Sequence, residues 1–92
     1  MDFVWETPSE MALNLAKRVK KIRKRKKITQ VQLAGRCNVS YGALKKFEQT
    51  GEISLVSLIK IAMELNVSDE IKDLFTDSVY MSIDEVLNDG KI

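Results

Sequence analysis

Between Thr29 and Gln49 the chain starts a helix, stops it and starts another, within a span that leaves room only for a tight corner. Thr29-Gln30-Val31-Gln32 has the form of a capping box, in which Thr29 accepts from a free N–H of the first turn and Gln32 reaches back to the cap. The helix so opened carries Leu33 and Ala34 to about Cys37. Asn38 is placed to end it, because a left-handed residue is the usual helix stop and Asn tolerates positive φ better than anything except Gly. Ser40 caps the next helix, Tyr41 to about Gln49, with Leu44 and Phe47 turned inward and Val39 as the preceding apolar staple.

Similar punctuation organises the flanks. Thr7-Pro8-Ser9-Glu10 is a second capping box with Pro at the first helical position, where its missing N–H is not needed. From there Leu15, Val19 and Ile22 recur at i, i+4 and i+7, with Ala12 and Ala16 beside them, so the segment to about Lys26 has one apolar face. Thr50-Gly51 breaks the chain after the third helix. Ser54 caps a fourth, in which Leu58, Ile61, Ala62 and Leu65 share a stripe that ends near Asn66. Ser68-Asp69-Glu70 puts acids on the first turn of a fifth helix carrying Ile71, Leu74 and Phe75, and Ser82-Ile83-Asp84-Glu85 has the form of a cap for a short sixth turn. No repeat, low-complexity run or hairpin dipeptide between alternating strands is present. The expected fold class is all-α.

The chain has 92 residues, enough for one modest core. Its net charge of +2 conceals a segregation. Residues 1–16 hold three acids and no base, residues 17–52 hold twelve Lys/Arg against Glu48 and Glu52, and residues 53–92 hold three Lys against eight acids. A basic middle between acidic flanks fits a polyanion, with nucleic acid the first candidate. No stretch approaches the roughly 20 apolar residues of a membrane span, and Met1-Asp2-Phe3-Val4-Trp5-Glu6 lacks the basic start of an export signal, so a soluble, unexported chain is expected. With a single Cys37 and no histidine, the sequence offers neither an internal disulfide nor a Cys/His metal cluster, and a reducing cytoplasm is the simplest compartment.

The run Ile28-Thr29-Gln30-Val31-Gln32-Leu33-Ala34, followed by Val39-Ser40-Tyr41-Gly42-Ala43-Leu44-Lys45-Lys46-Phe47-Glu48, resembles the Cro/phage-repressor (XRE) helix-turn-helix family over about residues 15–75. The resemblance implies a five-helix bundle of the lambda-repressor-like type: an N-terminal arm over 1–6, a DNA-binding domain over 7–76 and a C-terminal extension over 77–92. It also implies that Arg23 and Glu48 form a buried ion pair tying the first helix to the end of the recognition helix, a device for orientation more than for stability.

For double-stranded DNA, the family's docking puts the first turn of the recognition helix and the face one turn later against base edges, which here are Ser40, Tyr41, Gly42, Lys45 and Lys46. Lys46 is suited to guanine O6/N7 and Tyr41 to a hydroxyl contact or a thymine methyl. Gly42 reads nothing itself but permits close approach. Phosphate contacts are expected from Thr29 and Gln30, at a helix N-terminus that favours an anion, and from Lys24, Lys26 and Lys27. Glu52 departs from the pattern, since relatives often carry bases in that loop.

Each of these features has a plainer reading. The run Lys20 to Lys27 alone is a solvated basic face, and Tyr41, Lys45 and Lys46 on an isolated helix are ordinary surface residues; the motif around them is what favours contact. Cys37 is a small apolar filler at a helix end. Asp84, Glu85 and Asp89 read as solvated charges and not as a metal site. With no histidine, no glycine-rich phosphate loop and no paired carboxylates in an apolar context, no enzyme and no cofactor are expected.

Two functions stay open. One is an autonomous regulator, a repressor, binding a palindromic operator as a homodimer with half-sites about 10 bp or a multiple apart. The other is a HipB-like antitoxin that binds a partner kinase toxin and represses its own operon, a reading prompted by Phe47 to Leu55 and Leu58 to Ala62. Phe3, Val4 and Trp5 at one end and Val79, Tyr80, Met81, Ile83, Val86 and Leu87 at the other either meet a partner or fold back on the chain's own core.

Overall fold

A computed structural model describes residues 6–76. The expected arm except Glu6, the extension, the sixth turn at Ser82 to Glu85, the two terminal apolar clusters and the carboxylates Asp84, Glu85 and Asp89 therefore lie outside the described residues. Within them five helices follow one another: α1 (Pro8–Arg25), α2 (Gln30–Cys37), α3 (Tyr41–Thr50), α4 (Leu55–Glu64) and α5 (Ser68–Lys72). No strand occurs among the described residues.

Four hydroxyl side chains start the first four helices. Thr7 Oγ1 accepts from the Glu10 N–H at 3.1 Å while the Thr7 N–H donates to Glu10 Oε1 at 2.8 Å, and Thr29 and Gln32 repeat this exchange at 3.1 and 2.9 Å. Ser40 and Ser54 each accept one N–H from the first turn, that of Ala43 and that of Ser57. Each bond satisfies a donor the helix itself cannot. Left-handed residues stop the helices: Asn38 at φ 57° after α2, Gly51 at φ 85° after α3, and Lys27 and Asn66 at φ 59° and 62° in the turns after α1 and α4.

The apolar stripes meet in one core. Leu33 from α2, Leu44 and Phe47 from α3, and Ile61 and Leu65 from the end of α4 are fully buried, with Ala16 of α1 and Ala34 of α2 among them. Helix α1 packs across α3, and α2 packs on both α3 and α4. The crossing of α1 by the α3 terminus is very close: a Cβ on Gly51 would stand 2.5 Å from the Ala12 carbonyl carbon and 2.6 Å from the Leu13 nitrogen. Only a residue without a side chain fits there.

Two expectations differ from the structure. Leu15 shares the apolar face of α1 but stays 46% exposed, because it looks past the core toward α5. The fifth helix is one short turn and a half, not a segment reaching Phe75. Its cap is Val67, which supplies no side-chain acceptor, and Ser68 is its first helical residue. The chain turns at Asp73 and Phe75 takes φ 65°, leaving Leu74 53% and Phe75 84% exposed. A helix this short carries its nucleation cost with few hydrogen bonds to offset it.

Candidate nucleic-acid interface

The surface that could meet a duplex is built outward from a buried carboxylate. Glu48 lies on the inner face of α3 between Leu44 and the helix end and is almost fully buried. Arg23 of α1 grips it with two prongs, Nε to Oε2 at 2.7 Å and Nη2 to Oε1 at 2.9 Å, while Nη1 donates to the Ile28 carbonyl at 2.8 Å. Gln30, the first residue of α2, donates from Nε2 to Glu48 Oε1 at 2.8 Å. Burial alone pushes the Glu48 carboxyl up, but hydrogen bonds from Arg23 and Gln30, with the charges of Arg23 and Lys20, outweigh it and hold the group below its ordinary value. One carboxylate thus joins α1, the turn after it, α2 and α3. No buried side-chain polar atom among the described residues lacks a partner.

With Leu44, Phe47 and Glu48 turned inward, the opposite face of α3 is open. Ser40, Tyr41, Gly42, Lys45 and Lys46 are all exposed, on two adjacent rows four residues apart, Tyr41 above Lys45 and Gly42 above Lys46. The Lys45 ammonium sits 5.9 Å from the Tyr41 ring centre. This contact draws the two side chains together on one row. A Cβ on Gly42 would meet nothing within 4 Å, so the fold does not demand glycine at this place. Lys46 reaches across to Glu52 at 3.3 Å, with both side chains well exposed. Glu52 was visible in sequence as an acid out of place, but its pairing with Lys46 was not, since the turn that brings them together is set by Gly51 and by Thr50, whose hydroxyl accepts from the Glu52 N–H.

The residues expected at phosphates fall into two groups. Lys24, Lys26 and Lys27 are exposed around the turn from α1 to α2, with Arg25 beside them, and Thr29 is exposed at the cap of α2. Gln30 is half-buried, its side-chain amide committed to Glu48, so its part in any anion contact falls to its backbone N–H at the α2 N-terminus. No spacing rule in the sequence signals that bond, which spans 18 positions. Cys37 is buried, and burial pushes its thiol up, away from the reactive thiolate.

Among the described residues no group of His, Cys, Asp and Glu could hold a metal ion, and no helix is long and apolar enough to cross a membrane. A two-helix corner that exposes a polar row flanked by lysines is the architecture of a major-groove reader. The family model described as helix-turn-helix matches residues 19–71, and the chain belongs to that family, of the XRE or Cro-repressor-like type. It is accordingly a DNA-binding helix-turn-helix regulator. No curated protein matches the chain.

Proposed function

We propose that this regulator is a repressor that binds a palindromic operator as a homodimer, with α3 in the major groove of each half-site. Ser40, Tyr41, Gly42, Lys45 and Lys46 meet base edges. Lys24, Lys26, Lys27, Thr29 and the N-terminus of α2 hold phosphates on the same side. What carries this reading is the exposed polar row of α3, anchored from behind by the Arg23–Glu48–Gln30 cluster, so that a fixed helix is offered to a groove that admits one.

A salt titration on operator and random duplexes, with Lys46→Ala beside the parent chain, tests the assignment. Loss of about 1–3 kcal/mol on the operator alone makes Lys46 a base reader, whereas equal loss on both duplexes with a flatter salt slope moves it to the backbone. No salt-sensitive affinity for any duplex would defeat the reading.

Val56 and Met63 stand two turns apart on the outside of α4 at 64% and 62% exposure, with Leu55 beside them at 63%. An apolar stripe of this kind fits a partner chain. We assign it to the second protomer. The antitoxin reading gives the same stripe to a kinase-type toxin, and a second protein purifying in fixed ratio with this chain would select it.

A further inference from the structure

Behind the DNA-facing side, α1, α4 and α5 leave an open groove of about 220 Å³. Leu15, Val19 and Ile22 form one wall, Leu58 and Leu65 the floor side from α4, and Ile71 and Leu74 the other wall. Arg18 and Glu70 are its charged residues among those described. It is this groove that leaves Leu15 and Leu74 half in water.

We propose that residues 77–92 of the same chain seat in this groove, with Ile83, Val86 and Leu87 turned into it. Chain connectivity is the first reason. Leu74 is itself part of the wall, so the segment leaves from the groove's edge, and a short tether raises its local concentration far above that of a free partner. Patterning is the second. Ser82 and Glu85 stand at capping-box spacing, Met81 and Val86 stand at the spacing of a hydrophobic staple, and Gly90 is placed to end the helix they would open. On that helix Ile83, Val86 and Leu87 fall on one stripe. Its length, about 1.5 Å per residue over 83–89, matches the stretch of α1 from Leu15 to Ile22.

Charge is the third reason. Residues 77–92 hold Asp77, Asp84, Glu85 and Asp89 against Lys91, and the α1 wall of the groove carries the exposed Arg18. An acidic strap against this part of α1 is attracted to it and stands apart from the surface offered to DNA. The proposal does not rest on DNA binding and can fail or hold independently of it.

Methyl NOEs in the full chain decide the matter. Cross-peaks from Ile83, Val86 and Leu87 to Leu15, Val19 and Ile71 within one chain are expected. Ile83→Asp should lower the melting temperature by about 4–8 °C for each fivefold or so lost in stability, and should raise dye binding at the uncovered groove, leaving the amide shifts of α2 and α3 unmoved. Absence of those cross-peaks, or their appearance only between differently labelled chains, overturns the proposal. So does an Ile83→Asp protein whose melting temperature and Leu15 methyl shifts match the parent.

Discussion

Arg23 and Glu48, 25 positions apart, meet as a two-pronged ion pair in the interior, and the arginine's remaining prong closes on the Ile28 carbonyl. Removing one member leaves the other charged and dry, which costs about 3–5 kcal/mol in buried pairs. Glu48→Ala should therefore lower the melting temperature strongly. Replacing both residues with apolar ones of similar volume should recover much of the loss. A Glu48→Ala protein that melts with the parent would show that the pair contributes nothing to stability.

The same carboxylate sets an acid limit. Its folded value lies below the ordinary 4.5, so the unfolded chain takes up the proton first as pH falls. The stabilisation from this group is complete above about 4.5 and drains away as pH descends toward the folded value. Melting curves from pH 7 to pH 3 should fall more steeply for the parent than for Glu48→Gln, and parallel curves would assign the acid sensitivity elsewhere.

Gly51→Ala tests the close crossing of α1 by the end of α3. A side chain at φ 85° is strained by about 1–3 kcal/mol, and its Cβ would also stand 2.5 Å from backbone that cannot swing aside. The variant should melt well below the parent and show displaced amide shifts at Ala12 and Leu13. A loss no larger than that of an ordinary surface change would mean that α1 can back away.

Gly42→Ala asks the opposite question, since the fold leaves open space around that residue. Alanine is the better helix former, so the protein should melt no lower than the parent. Binding to operator DNA should nonetheless weaken if the backbone of α3 approaches the bases there. Undiminished affinity would place Gly42 away from the duplex.

Glu52→Gln releases Lys46 from its partner at 3.3 Å. Such an exposed pair contributes little to stability, and the melting temperature should hardly change. Affinity for DNA should rise, with the salt slope steeper by up to about one unit as Lys46 turns to the duplex. An unchanged slope would show that Lys46 is not restrained by Glu52.

How far the fold could be read from sequence depended on how local the signal was. Thr7, Thr29, Ser40 and Ser54 act within three residues of themselves, and each caps the helix it was expected to cap. Asn38 takes the left-handed conformation its position called for. The fifth helix failed for the same reason in reverse. Ser68 and the acids after it looked like a start, but the turn at Asp73 to Phe75 ended the helix before Leu74 and Phe75 could face a core. Within the interface, the inward Leu44 and Phe47 of α3 followed from the helix pattern and its outward row from the family resemblance, whereas the link from Gln30 to Glu48 joins residues that only the packing of α2 on α3 brings together.

That link has a mechanical consequence. Gln30, which opens α2, and Arg23 of α1 donate to the same Glu48 oxygen, so on the proposed docking a phosphate at the α2 terminus would pull on a body already locked to α3. Little side-chain freedom at the anchor remains to be frozen when the duplex arrives, and tightening at the sugar-phosphate rail is passed to the groove without slack.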